Sequence, residues 1–308
     1  MSKLDSIKEF YIKHYKKLLI IPILLLVLAL LQIGYQNSTT GDFLNKGVSL
    51  KGGLVATIPS EVLDNVFVPE ELERTIKKDY SDYDINVKQI TDAGKQIAII
   101  IEASISEKDL TDEFVNYLEE ILGVESSNFN VEITGSALGK SFFKDIIFAL
   151  LLAFVFMGIV VFLYFRTIVP SLAVMLAAFS DMVITLAIVN LMGIKLGTAG
   201  IVAFLLLIGY SVDTDILLTV RVLKRKEGHY MDRIFSSIKT GLTMNLTTLA
   251  AVIVALIISQ SEIITQIMTI LLIGLIVDSI NTWIQNVGIL RLYMEHKEKK
   301  AKKDVTTN

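Results

Sequence analysis

The sequence predicts a polytopic α-helical membrane protein with six transmembrane helices and an α+β ferredoxin-like external domain between the first and second. Three observations carry that expectation. The 308 residues are 53% apolar and only 20% charged, with a mean hydropathy of +0.59, too high for an ordinary soluble domain. The apolar residues gather in six runs, about 18–34, 145–165, 168–192, 197–220, 240–259 and 263–290, and about 20 apolar residues cross ~30 Å of hydrocarbon. The net charge of −3 also hides a split. Residues 36–140 carry 19 acids and 9 bases, whereas the rest of the chain is net +7, so the two parts face different surroundings. Buried helices of a soluble core are the alternative, and five runs within residues 145–290 argue against it.

Lys and Arg in the short loops set the orientation. Three basic segments fall on one side of a six-span chain: Lys3 to Lys17, then Arg221 to Lys239 with Lys224, Arg225, Lys226 and Arg233, then Arg291 to Lys303. The other side offers only Lys195 in its short loops. A multi-pass cell-membrane protein with both termini cytoplasmic is expected. Residues 1–17 form the cytoplasmic N-terminus, 18–34 the first span, 35–140 the external domain, 141–290 the five-helix domain and 291–308 the tail. The exit of the first run, Leu31-Gln32-Ile33-Gly34-Tyr35, lacks a small-x-small cleavage site, so this run is expected to be an uncleaved anchor.

The external segment reads strand-helix-strand-strand-helix-strand, the split βαβ pattern. Leu54 to Ile58 is the first strand. Leu72, Ile76 and Tyr80 stripe a helix. Ile85 and Val87 alternate, as do Ile97, Ile99 and Ile101, around a turn at Asp92-Ala93-Gly94, which suggests a hairpin. Leu110, Phe114, Leu118 and Leu122 stripe a second helix after a candidate capping box at Ser106 and Asp109. Phe129, Val131 and Ile133 alternate as the last strand.

Inside the apolar runs lie Asp181, Asp213, Asp215 and Asp278. A charge at mid-membrane costs roughly 2.5–3.5 kcal/mol on insertion scales, and such residues mark functional sites by default. From the cytoplasmic end of each run, Asp213 lies about 10 Å deep, Asp181 about 16 Å and Asp278 about 18 Å; Asn245 lies about 9 Å deep, with Thr247 and Thr248 about 12–14 Å. These seven residues are the candidate intramembrane polar or proton-coupling network, with Asp213 at its centre. Asp213 and Asp215 are about 200° apart on a helix and cannot both face one cluster. Ser236, Thr240, Thr243 and Thr247 form a polar stripe, which static bonding to their own i−4 carbonyls also explains. The basic stretch 221–239 reads equally as an amphipathic surface helix or a solvated connector.

Several chemistries find no support. There is no cysteine, and His14, His229 and His296 all lie outside the apolar runs near lysines, so no metal site is expected. No Gly-rich phosphate loop occurs, and no cofactor, enzymatic activity or nucleic-acid binding is expected.

At the level of motifs the chain resembles the SecD/SecF family of protein-export membrane proteins, within the resistance-nodulation-division superfamily, and its archaeal branch in particular. Gly47-Val48-Ser49-Leu50-Lys51-Gly52-Gly53 resembles the family's Gly-x-Asp-x-x-Gly-Gly lead-in to the external domain, with Ser49 for Asp. Ser180-Asp181 resembles a third-span His-Asp pair, with Ser180 for His. Ile208 to Asp215 resembles the fourth-span signature, in which the acid of many bacterial members falls on Thr214. Asn245-Leu246-Thr247-Thr248-Leu249 resembles a fifth-span motif whose preceding basic residue falls on Thr240, and Asp278 with Asn281-Thr282-Trp283 resembles the archaeal sixth span. The resemblance implies an accessory subunit of the Sec translocase. It would act with a SecD-like six-span protein beside the Sec translocation channel, on an exported polypeptide, driven by the proton gradient. The residues themselves leave open a small-molecule or lipid exporter half, a non-catalytic structural partner, and an intramembrane aspartyl protease. The last lacks its Gly-x-Gly-Asp, because Tyr210-Ser211-Val212 precede Asp213.

Overall fold

The computed structural model describes residues 3–63, 66–92, 95–224, 228–259 and 261–306. Helix α1 (Lys3–Leu18) leads into α2 (Ile20–Thr40), so the N-terminal stretch expected before the first span is itself helical. Pro22 explains the break between them: it has no N–H for the carbonyl of Leu18 four residues back. The first span runs on past its apolar stretch to Thr40. It stops where Gly41 takes a left-handed φ of 76° and bonds back to Asn37 O at 3.0 Å, a common helix stop.

A one-turn helix α3 (Val48–Lys51) then opens a small antiparallel sheet. In chain order come β1 (Gly53–Pro59), α4 (Pro69–Asp79), β2 (Ile85–Asp92), β3 (Lys95–Ala103), α5 (Lys108–Leu122) and β4 (Asn130–Thr134). The strands lie in the order β2-β3-β1-β4, with each neighbouring pair antiparallel. One face packs Leu54, Ala56, Ile58, Ile85, Val87, Ile99 and Ile101 against Leu72 and Ile76 of α4 and Phe114 and Leu118 of α5. Apolar residues at period 2 on strands and at four-residue spacing on helices meet in one core.

Three local expectations fail for physical reasons. The capping box is absent: α5 begins later, at Lys108, and Glu107 is its N-cap with no side-chain cap bond. Ile97 is exposed rather than buried, because the β2–β3 register shifts between Ile90 and Thr91. That bulge turns Gln96 inward, where its amide donates to Phe67 O and Gln89 Oε1, both at 3.1 Å. Ile133 is exposed because its edge strand opens onto a groove shared with Thr111, Val115 and Asn116 of α5. Ala93 and Gly94 of the expected turn lie outside the described residues.

The chain returns through α6 (Ser136–Phe165), α7 (Ile168–Leu191), α8 (Thr198–Lys224), α9 (Tyr230–Ile258) and α10 (Glu262–Ile280). The last helix continues through a π-helical segment (Asn281–Asn286) into α11 (Val287–Thr306). Counting α2 and taking Ile263–Lys300 as one stretch, six helices among the described residues are long and apolar enough to cross a membrane. Together they make a polytopic α-helical membrane protein, with the small sheet inserted between the first and second spans. Helices α7 and α8 bury 56% of their most apolar stretch, α6 only 11% and α9 17%. The centre is therefore α7–α8–α10, with α2, α6 and α9 around it. Close approach uses glycine: a Cβ on Gly241 of α9 would fall 2.1 Å from the Trp283 ring.

Among the described residues no separate surface helix lies between the fourth and fifth spans. Helix α8 runs to Lys224 and α9 starts at Tyr230; Arg225 and Lys226 lie outside the described residues. Tyr230 and Ile234 do not lie on lipid. They pack with Leu218, Val222, Trp283, Val287 and Leu290 in a cluster closing that end of the bundle.

Candidate functional site

Three helices bring three carboxylates to the middle of the bundle. Asp181 comes from α7, Asp215 from α8 and Asp278 from the last turn of α10, and all three are 0% exposed. Such burial requires hydrogen-bond donors, and the neighbouring helices supply them. Ser211 Oγ donates to Asp181 Oδ2 at 2.6 Å and Asn281 Nδ2 to Asp181 Oδ1 at 2.7 Å. Thr282 Oγ1 donates to Asp278 Oδ1 at 3.1 Å, and Asn245 Nδ2 reaches Asp278 Oδ2 at 3.4 Å. Asn286 Nδ2 donates to Asp215 Oδ1 at 2.7 Å.

The three carboxylates and their donors lie together in one buried core. Asp278 lies beside both Asp181 and Ser211, and Thr282 also stands next to Asp215. Asn245 extends this bonding to α9, donating to Ser279 Oγ at 2.6 Å and accepting from Tyr210 Oη at 2.7 Å. Gln285 Nε2 reaches Ser180 Oγ at 3.2 Å. Hydroxyls both donate and accept, and Ser211 and Thr282 place one on Asp181 and one on Asp278. Asp215 Oδ2 and the amide oxygens of Asn281 and Asn286 are buried and accept no bond among the described residues. No group of three His, Cys, Asp or Glu placed to hold a metal ion occurs among the described residues.

The sixth span builds half of this site. Asp278, Asn281, Thr282, Gln285 and Asn286 are spaced i, i+3, i+4, i+7, i+8, which gathers them on one helix face. The π-helical segment coincides with four of them, and π-bulges occur frequently at functional sites.

Among the sequence-predicted residues, Asp181, Asp215, Asp278 and Asn245 meet. Asp213 does not: it is exposed on the outer side of α8, because Asp215 takes the inward direction and the two lie about 200° apart. The expectation that Asp213 sits at the centre is corrected accordingly. Thr247 is likewise exposed, and its hydroxyl bonds Met244 O at 2.7 Å. Thr248 is half-buried and also bonds Met244 O, at 3.1 Å. The stripe along α9 is mostly back-bonding, Thr240 to Ser236 O and Thr243 to Lys239 O. Arg221 Nη1 adds a bond to Thr240 Oγ1 at 2.9 Å. Ser211, Asn281, Thr282, Gln285 and Asn286 were missed as members of the site, although the polar spacing in the sixth run marks the last four.

The lead-in glycines stand apart, at the sheet end of the bundle. Gly47 N–H donates to Leu196 O at 2.8 Å. Gly52 has φ 88° and Gly53 φ 148°, and a Cβ on either would fall 2.4 Å from Ser136 Cα or 2.3 Å from Ala103 O respectively. They press the start of the sheet against the start of α6. Beside them Asn45 donates twice to Asn190, from its main-chain N–H to Oδ1 and from Nδ2 to the main-chain carbonyl, both at 3.2 Å, and Lys195 Nζ donates to Asp84 Oδ1 at 2.7 Å. The sheet is thus tied to the α7–α8 loop.

Fold and site together define a multi-span membrane protein whose bundle core carries linked ionisable groups. The family described as protein export membrane protein SecD/SecF, C-terminal, matches residues 114–296. A protein-export membrane protein SecF from Pyrococcus furiosus is 38% identical over 92% of this chain and 93% of its own length. Its counterpart from Methanocaldococcus jannaschii is 37% identical over 94% and 99%. The chain belongs to the SecF family of protein-export membrane proteins. Among solved structures, SecDF from Thermus thermophilus, a translocon-associated membrane protein, shares the fold with a TM-score of 0.69 at 17% identity. The likeness covers 92% of this chain but only 38% of that one.

Proposed function

We propose that the chain is an accessory subunit of the Sec protein translocase, promoting export across the cytoplasmic membrane at the expense of the proton gradient. The observation that carries this reading is the fully buried Asp181 and Asp278, from two helices of one core, with Ser211 from a third bonded to Asp181. Protons entering and leaving the pair, with Asp215 reached through Thr282, would change the packing of α7, α8 and α10. The sheet-bearing segment, a ferredoxin-like external domain over residues 35–140, would move with them through the Gly47–Gly53 lead-in and the α7–α8 loop. The basic segments support both termini being cytoplasmic. The SecDF likeness, which this chain covers in part, supports a SecD-like six-span partner. The translocation channel, the exported polypeptide and the surrounding lipid complete the assembly.

One charge crossing 100 mV supplies about 2.3 kcal/mol, enough to bias a two-state element by under two decades. Asp181→Asn and Asp278→Asn are expected to lower gradient-driven export in membrane vesicles at least tenfold while leaving partner copurification intact. Export at the wild-type rate in both variants under a sustained gradient overturns the reading.

A further inference from the structure

The π-helical segment holds the carboxylates, and α1 holds the π-helical segment. Tyr11 Oη donates to the main-chain carbonyl of Trp283, in the middle of that segment. Helix α1 is anchored for this contact from several sides. Arg291 Nη1 donates to Ile12 O at 2.8 Å, and its guanidinium lies 3.8 Å from the Tyr15 ring centroid. Tyr15 Oη donates to Glu295 Oε2 at 2.7 Å, and Arg291 Nε to Glu295 Oε1 at 3.0 Å. The Tyr11 ring faces Phe235 of α9 at 6.1 Å. Burial holds the Tyr11 hydroxyl above the ordinary phenol range, against the opposing pull of Arg291, so it remains a donor throughout the physiological range.

A π-helix replaces i→i+4 bonds with i→i+5 bonds and is rare. An external donor to one of its carbonyls favours the wider turn over an α-helical one. The difference reaches the site: returning the segment to α geometry removes the extra residue, and each residue of register turns a helix by about 100°. Asn286, at the far end of the segment, would change direction relative to Asp278 at its start and leave Asp215.

We propose that Tyr11 is a positioning residue and α1 a strap: the hydroxyl bond to the Trp283 carbonyl fixes the π register, and with it the direction of the Asn286 donor on Asp215. Only the consequence for export rests on the function proposed above; the structural consequence does not.

The test uses the full chain with its copurified partner in lipid nanodiscs. Hydrogen exchange is followed over residues 281–287, together with the pH midpoint of the infrared carboxyl band. The titratable groups that face the segment are Asp181, Asp215 and Asp278, with Tyr210 bonded to Asn245. Tyr11→Phe is expected to speed exchange of that segment about three- to tenfold, the loss of one hydrogen bond, and to move the carboxyl midpoint. Tyr15→Phe, which loosens one anchor of α1 but keeps the Tyr11–Trp283 bond and the Arg291–Glu295 bond, is expected to change both by clearly less. Unaltered exchange and midpoint in Tyr11→Phe overturn the strap, as does an equal response to Tyr15→Phe. Unchanged exchange in the sheet shows that the fold is intact. If the segment loosens as expected but export continues at the wild-type rate, the strap stands and the coupling reading falls.

Discussion

The sheet and the bundle are built inside out relative to each other. In the sheet, Leu54, Ile58, Ile76, Phe114 and Leu118 are inside, and the acidic and basic side chains face outward. In the bundle, Asp181, Asp215, Asp278, Ser211, Asn281 and Thr282 are inside, while Phe148, Leu151, Phe156 and Leu163 are exposed. The solvents differ. In water, each buried methylene contributes about 0.8 kcal/mol. In hydrocarbon, a leucine gains nothing by leaving the surface, and helices associate through close packing and hydrogen bonds. Apolar burial is therefore the signature of stability in the sheet. Polar burial is the signature of both cohesion and chemistry in the bundle.

The contrast breaks if the two regions respond together. Phe114→Ala is expected to have the largest effect, destabilising the sheet by about 3–5 kcal/mol. Hydrogen exchange across β1 and β3 measures it, and the carboxyl bands of the bundle should not move. Asn286→Ala comes next. It strips the donor from Asp215 Oδ1 and should cost about 1–3 kcal/mol, read as a lowered unfolding temperature of the bundle in nanodiscs. Leu151→Ala removes more apolar volume from the lipid face of α6 and should change that temperature by much less. A larger effect at Leu151 than at Asn286 would erase the distinction.

Much of this was legible in the sequence, though unevenly. The number and order of spans followed from the length of the apolar runs, because hydrocarbon tests every residue of a span alike. Helix ends were less visible: α2 passes Gly34 to reach Thr40 and α8 reaches Lys224, since a helix continues through headgroups and water, where apolarity no longer marks it. Depth put Asp181, Asp278 and Asn245 in one slab between the inner leaflet and the midplane, but depth carries no direction. Only the packing of α7, α8 and α10 decides that Asp215 faces inward and Asp213 outward. The spacing of Asp278, Asn281, Thr282, Gln285 and Asn286 was present as a pattern. The π turn that aims those side chains was not, because it depends on a bond from Tyr11, 272 positions away along the chain. In the sheet, period-2 alternation located the strands, and the bulge beside Ile90 then moved Ile97 to the outer face.

The smallest expected effect sharpens the comparison from the water side. Burial pushes the Glu73 carboxyl up, but a hydrogen bond from Lys77 and another from the Val87 N–H, at 3.2 Å, hold it below the ordinary carboxylate value. A carboxyl whose folded value is depressed stabilises the fold above its unfolded value, about 4.3. That contribution is lost as the pH falls through the folded value. Glu73→Gln should therefore weaken the sheet at pH 7 and flatten its loss of stability toward pH 3. For a partly exposed pair the size is about 0–1 kcal/mol. Urea midpoints of β2 exchange at the two pH values measure it. Because water reaches Glu73, the pH 7 difference should shrink as salt shortens the screening length from about 10 Å at 0.1 M to about 3 Å at 1 M. The Asn286→Ala penalty, set where neither water nor ions screen the groups, should not change across the same range.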